Sequence, residues 1–269
     1  MMMIENLETY GWEAAIRGMR NPMNSWAKSD SLFNDGFDSE YGGIQAHDLN
    51  DDHPWIDMDS EDYFTEDVHL GANDMTLMRK LAEGGPVHAK YRRFITVTMD
   101  ITAPLYWWKE FDTYKVGTAA NSCITMHKIH AKEFTLEDFS CEHLISPRDD
   151  DTYELFPELE AYDDDPEYYG PGAGASCYPM EVLASLIDCL NMCRRRFLET
   201  KDKRYWWQMI QLLPSSYNQR RTVLLNYEVL HNIYVSRKDH KLDEWREFCE
   251  MMRKQLSYSE LFTMEENSK

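Results

Sequence analysis

Long apolar runs are missing from this chain. Nothing in it approaches the ~18 consecutive apolar residues that a bilayer-spanning helix needs, so no membrane association is expected. The first ten residues, Met1 to Tyr10, include Glu5 and Glu8 and have neither the basic nor the apolar region of a secretory signal. The expected compartment is the cytoplasm. Positive charge is scarce as well: 28 Lys and Arg stand against 48 Asp and Glu, a formal net charge of −20. That field repels phosphate backbones and anionic membranes, and non-specific nucleic-acid binding is not expected. A small anionic ligand remains compatible with it, because local cations outweigh distant charge beyond a Debye length of ~10 Å.

Chemistry-bearing motifs of the familiar kinds are absent too. There is no Ser-His-Asp set, no glycine-rich phosphate loop and no His-rich metal spacing. Six cysteines (Cys123, Cys141, Cys177, Cys189, Cys193, Cys249) are scattered without a secretion signal, which predicts reduced thiols. Cys189 and Cys193 stand four apart in a helical stretch. Two cysteines with no matching His or Cys pair read as a buried helix face rather than a zinc site, and no metal is expected. No internal repeat is visible.

What is present is material for a core. Hydrophobic residues make up 43% and aromatics 13% of 269 residues, within reach of one enlarged α/β domain. Residues 1–70 read as an irregular N-terminal region with a short helix around Leu7 to Met19. The spacing predicts a helix over Asn73 to Glu83, capped by Asn73 or Asp74, with Met75, Met78 and Leu81 near one face. Tyr91 to Ile101 alternates as a half-buried strand does. Pro104 opens a helix through Trp107, Trp108 and Phe111, whose aromatics at helical spacing read as core. Ala119 to Ile129 reads as helical. Residues 147–174, with Asp149 to Asp151 and Asp163 to Asp165, form an acidic loop insertion. Helices are predicted over Pro179 to Thr200 and Tyr205 to Leu213, and over Asn218 to Tyr258 with a polar break near Arg237 to Asp243.

The stretch Gly84 to His127 resembles the flavin-dependent thymidylate synthases. That family has a helix, a turn bearing a His, a strand, an Ala-Pro step, a helix, then Arg-His-Arg. The matching elements here are Asn73–Glu83, His88, Phe94–Ile101, Ala103-Pro104, Leu105–Asp112 and Thr113-Tyr114-Lys115. A second match places Leu213-Pro214, Asn226, Asn232, Arg237, Asp239, His240 and Trp245 in the family's order, with one inserted residue. The resemblance covers about 70–262, with 70–146 and 175–262 as the family-like core.

The resemblance implies an α/β (α+β) fold with an antiparallel-rich sheet packed with long helices. It also implies FAD as cofactor, NADPH and methylenetetrahydrofolate as cosubstrates, and dUMP or a related pyrimidine nucleotide as substrate. A homotetramer with sites at subunit interfaces is implied as well. Carried over position by position, His88, Lys90, Tyr114, Lys115, Asn226, Asn232 and His240 correspond to flavin-contacting residues. Glu110, Thr113, Asn121, Cys123, Thr125 and Arg237 correspond to nucleotide-contacting ones. No protein nucleophile is required, because the cofactor carries the chemistry and the protein supplies orientation and charge. The plainer reading of each is a capping or packed polar group, and for Arg237 a salt bridge with Asp239 or Asp243.

The departures from the family are as specific as the matches. Thr113-Tyr114-Lys115 replaces Arg-His-Arg, so one cation remains of two, and Lys is not equivalent to Arg at a forked phosphate contact. Glu110 replaces a Gln, Asn121 a Glu, Cys123 a Ser, Thr125 an Arg and Ile210 a further Arg. Losing two or three charge-assisted contacts at roughly 1.5–3 kcal/mol each lowers affinity by several powers of ten unless others compensate. Three readings follow: a divergent flavin-dependent enzyme, a nucleotide or flavin binder of the same fold that does not methylate, and a structural homologue without ligand.

Overall fold

The computed structural model describes residues 2–33, 68–122, 128–146 and 178–264. In chain order these form β1 (Met3–Tyr10), α1 (Trp12–Arg20), β2 (Leu32–Phe33), β3 (Val68–His69), α2 (Ala72–Glu83), β4 (Thr96–Pro104) and α3 (Leu105–Phe111). They continue with β5 (Ala119–Ser122), α4 (Pro179–Thr200), α5 (Lys203–Leu212), β6 (Asn218–Asn226), α6 (Tyr227–Arg237), α7 (Asp243–Gln255) and α8 (Glu260–Thr263). A four-stranded sheet has the order β1-β4-β6-β5, and β2 pairs antiparallel with β3. Among the described residues no helix is long and apolar enough to cross a membrane. The acidic segment 147–174 lies outside the described residues.

The residues group into two compact units. One comprises Met1–Leu7, Met99–Lys115 and Ala119–Val223; the other comprises Glu8–Thr98, Val116–Thr118 and Leu224–Lys269. In the first, Ile129, Phe134, Phe139, Leu183, Ile187, Leu190, Cys193 and Met209 form the core, with Cys189 and Ile210 packed against it. The Cys189–Cys193 pair is therefore part of a helix face turned to the core, and burial pushes the Cys193 thiol pKa up. The α3 aromatics are core as well: Trp107 stacks on Phe111 at 5.0 Å, and Trp108 meets Trp107 edge-on at 4.9 Å. In the second unit Trp12 packs edge-on against Tyr227 at 5.4 Å and Tyr258 at 5.5 Å, and Tyr227 against Phe262 at 5.2 Å.

Several expected elements are displaced, each for a local reason. Instead of a helix from Leu7, β1 runs to Tyr10 and α1 begins at Trp12. Gly11 between them takes φ +88°, and a Cβ there would lie 2.1 Å from the Phe94 carbonyl oxygen, so the chain turns at the one residue that permits it. The expected strand over Tyr91–Ile101 starts later: Lys90–Arg93 is a short 3-10 helix, and β4 covers Thr96–Pro104. Its alternation holds throughout, with Val97, Met99, Ile101 and Ala103 buried. Ala119–Ser122 is an exposed edge strand rather than a helix. Asn218–Asn226 is also a strand, in which Val223 and Leu225 point inward while Leu224 is exposed.

In α2 the buried positions are Asp74, Met78 and Ala82, not Met75 and Leu81. Asp74 is fully buried because it pairs with buried Arg20, which draws its face of the helix inward. Neither Asn73 nor Asp74 caps α2. Asp30 does so from outside the helix, its carboxylate accepting the Asn73 and Asp74 N–H groups at 2.8 and 3.1 Å.

Candidate functional site

In the second unit, the cluster around Arg237 is built by the end of α6 and the start of α7. Arg237 occupies the last turn of α6, where a cation is favoured by the helix dipole. The chain then turns: the Lys238 N–H donates to the Tyr234 carbonyl and the His240 N–H to the Arg237 carbonyl, each at 3.0 Å. This brings His240 Nε2 to 2.9 Å from Arg237 Nη1. Buried Trp245 on α7 lies beneath, with the guanidinium carbon 4.9 Å from its ring centroid. The result is a half-buried guanidinium over an indole face, at the distance of a cation–π pair. Burial raises the pKa of nearby Cys249 to about 12, and the Arg237 charge only partly opposes it. That thiol is neutral and not a nucleophile.

At the other end of α6, Asn226 is the N-cap. Its side-chain oxygen accepts the Val229 N–H at 3.0 Å, the ordinary capping role. The amide nitrogen faces Gly117, where a Cβ would come within 3.1 Å of it. Gly117 takes φ +83°, a conformation that glycine adopts without strain. Beside it, the Thr118 hydroxyl is buried and has no hydrogen-bond partner among the described residues. An amide N–H2 and an unsatisfied hydroxyl suit a ligand edge carrying carbonyl or ring-nitrogen acceptors. Asn232 is exposed on α6, and His88 and Lys90 are exposed before β4.

The first unit holds the residues that replace Arg-His-Arg. Thr113 and Lys115 are exposed and Tyr114 is half-buried. The Thr113 hydroxyl donates to the Glu110 carbonyl at 2.7 Å, closing the end of α3. Asn121 lies exposed on β5. Cys123 and Thr125 lie outside the described residues. Ile210 packs against the apolar core and takes no polar part.

Sequence reasoning missed the cations of β6. Arg221 lies over Trp108 at 4.3 Å and pairs with Asp112 at 2.7 Å. Arg220 bridges Glu5 and Asp100, both at 2.8 Å. Asp100 accepts from Arg220, Thr222 and Asn6 together, which lowers its pKa to about 2. The available signal was the polar alternation of β4 (Thr96, Thr98, Asp100, Thr102), which called for polar partners on neighbouring strands. Among the described residues, no group of three or more His, Cys, Asp or Glu gathers as a metal site.

Comparison with known proteins places this architecture. The chain is similar in structure to thymidylate synthase X (ThyX) from Helicobacter pylori solved with FAD and dUMP. The TM-score is 0.55 at 13% identity, over 98% of this chain and 98% of that one. A second structure of the flavin-dependent enzyme from the same organism, also complexed with FAD and dUMP, gives a TM-score of 0.54 at 13% identity over 97% of each chain. No protein-family model matches the chain, and no curated protein matches it. The fold is that of the flavin-dependent thymidylate synthases: α/β, with antiparallel sheets and packed helices.

Proposed function

We propose that a protein with this fold and this Arg237 cluster is a divergent flavin-dependent enzyme that transfers a one-carbon unit to dUMP or a related pyrimidine nucleotide. The observation that carries the reading is the half-buried Arg237 guanidinium on Trp245, in a chain alike to the FAD and dUMP complexes over nearly its whole length. A planar fork of N–H donors suits a phosphate.

The residues in the second unit fit a flavin's polar edge: the Asn226 amide nitrogen and the Thr118 hydroxyl are donors matched to ring carbonyl and nitrogen acceptors. When bound, the flavin supplies hydride transfer with NADPH as its reductant, and methylenetetrahydrofolate supplies the carbon. Asn226 and Asn232 orient the ring; Arg237 holds the nucleotide phosphate; Lys115 and Tyr114 contribute a cation and a hydroxyl in place of Arg-His-Arg. His88, Lys90 and His240 complete the flavin-side set. Under this reading the protein works as a cytoplasmic homotetramer with shared sites.

One observation favours a second reading, a flavin or nucleotide binder that does not methylate. Thr113 turns its hydroxyl back to the Glu110 carbonyl, so that position contributes a helix-end contact where the family has a guanidinium. A visible absorption spectrum of the purified protein, repeated after adding FAD and then dUMP, tests both. A flavin band that shifts with dUMP supports the pair of sites, and formation of the 5-methylated nucleotide with NADPH and methylenetetrahydrofolate supports the enzyme. Flavin binding without turnover supports the binder. No flavin binding overturns both flavin readings.

A further inference from the structure

We propose that Arg221 is a phosphate-contacting residue, which brings from β6 the guanidinium that the altered motif lacks at Thr113. The inference deepens the reading of a flavin- and nucleotide-binding protein, and rests on it.

Arg221 lies in the same compact unit as the Thr113-Tyr114-Lys115 segment. Its Nη1 donates to the Asp112 carboxylate at 2.7 Å, and Asp112 directly precedes Thr113. The guanidinium therefore stands where α3 ends and the altered segment begins. Two further contacts fix it there. Its Nε donates to the Gln219 side-chain oxygen at 2.9 Å, and its guanidinium carbon lies 4.3 Å from the centroid of the buried Trp108 ring. Trp108 is itself tied to the same strand, its indole N–H donating to the Gln219 carbonyl at 2.8 Å. The Arg221 side chain is only 15% exposed, so packing sets its orientation before any ligand arrives.

These contacts leave donors over. A guanidinium carries five N–H groups, and Arg221 commits Nε–H and one N–H of Nη1. Nη2 has no hydrogen-bond partner among the described residues and remains open to solvent. Charge points the same way. Arg220, one position earlier, is bound by two carboxylates, Glu5 and Asp100. Among the described residues Arg221 meets one, and that carboxylate, Asp112, is exposed, so water screens it. An oriented guanidinium with uncommitted N–H donors and a single screened counter-charge is matched to a phosphate oxygen. Thr113 commits its own hydroxyl proton to the Glu110 carbonyl.

The test uses the full chain. FAD and dUMP are titrated by calorimetry into the wild type, Arg221→Lys and Arg221→Gln, with riboflavin and deoxyuridine as the phosphate-free counterparts. Arg221→Lys keeps the charge and the alkyl stem on Trp108 while losing the planar set of donors, so it reports even where Arg221→Gln unfolds. At least one phosphorylated ligand is expected to bind about tenfold more weakly to Arg221→Lys, and more weakly still to Arg221→Gln, with its phosphate-free counterpart unchanged. A loss for FAD assigns the contact to the flavin's diphosphate, and a loss for dUMP to the nucleotide's phosphate. Unchanged affinity for both phosphorylated ligands overturns the proposal. Equal losses with and without the phosphate overturn it too, and make Arg221 a strut between β6 and α3. If the wild type binds neither FAD nor dUMP, the functional reading fails and inorganic pyrophosphate is the probe. Pyrophosphate binding that Arg221→Lys weakens then supports the contact, and equal binding or none overturns it.

Discussion

Arg20 and Asp74, 54 positions apart, meet at 2.6 Å as an ion pair with both side chains buried. Asp74 also accepts from the hydroxyls of Ser29 and Ser31 and from the Asp30 and Ser31 N–H groups. The segment after α1 is thereby tied to the first turn of α2 through one carboxylate. Burial acts to raise the Asp74 pKa, but the hydrogen bonds from Ser29, Ser31, Arg20 and the Asp30 backbone outweigh it, and the net shift is downward.

Removing one partner of this pair strands the other in a dry environment. Arg20→Met is expected to destabilise the second unit by about 3–5 kcal/mol, the usual cost of an uncompensated buried charge. Urea denaturation followed by tryptophan fluorescence, to which Trp12 and Trp245 of this unit contribute among the chain's eight tryptophans, measures it. A loss below about 1 kcal/mol would mean that water reaches Asp74 and that the pair is a surface pair in effect.

The same carboxylate sets a pH dependence. A group whose folded pKa is depressed contributes stability that is complete above its unfolded value, near 3.9, and lost as pH falls through the folded value. Asp74 is depressed, and so is Asp100, held at about 2 by Arg220, Thr222 and Asn6. Stability is therefore expected to fall between about pH 5 and pH 2. Asp74→Asn is expected to flatten that slope in denaturation curves taken across the range. An unchanged slope would assign the acid sensitivity to other carboxylates.

Asn226 has two roles that substitutions separate. Its oxygen caps α6 through the Val229 N–H, while its amide nitrogen faces Gly117. Asn226→Asp keeps the cap and loses the amide donor, so fold stability is expected to hold while flavin affinity drops. Asn226→Ala loses both and is expected to cost a further ~1 kcal/mol of stability. Paired melting and flavin-fluorescence titrations read the two effects. Equal flavin affinity in the Asp variant and the wild type would leave Asn226 as a cap alone.

Gly117 is the backbone counterpart of that contact. At φ +83° any other residue is strained, and a Cβ there meets the Asn226 amide nitrogen and Val229 Cγ2 at 3.1 Å each. Gly117→Ala is expected to cost about 1–2 kcal/mol from the left-handed conformation alone, and to displace Asn226. Thermal unfolding with and without FAD checks both consequences. A stability change within error would mean that this turn relaxes to negative φ at no cost.

Where period and neighbourhood agreed, the architecture was legible. The alternation over Tyr91–Ile101 announced β4, though not its ends, and the helix over Pro179–Thr200 appears with its expected ends. β6 was hidden because Asn218, Gln219, Arg220, Arg221 and Thr222 show no apolar alternation. Their half-buried cations are satisfied by Glu5, Asp100, Asp112 and Trp108, partners more than a hundred positions away that no local window contains. Burial of Asp74 was hidden for the same reason, its partner lying on α1. Of the site, the order Asn226, Asn232, Arg237, His240, Trp245 was visible in the sequence, and the structure gathers the last three. The approach of His240 to Arg237 depends on a turn geometry that residue order does not encode.

The altered motif gives the last prediction. If the chain segment Thr113-Tyr114-Lys115 faces phosphates, restoring the family's guanidinium groups raises affinity. Thr113 and Lys115 are exposed, so Thr113→Arg with Lys115→Arg forces no repacking, and the substitution removes the hydroxyl bond from Thr113 to the Glu110 carbonyl. A charge-assisted contact contributes roughly 1.5–3 kcal/mol, and 1.4 kcal/mol is a factor of ten, so the double variant is expected to bind FAD or dUMP at least about tenfold more tightly. Arg forks onto two phosphate oxygens where Lys offers a point charge, so the gain should survive moderate salt better than a surface ion pair does. Titration at two ionic strengths measures it. An affinity unchanged at both would place this segment away from any bound phosphate and would favour a protein that has kept the fold while giving up that part of the site.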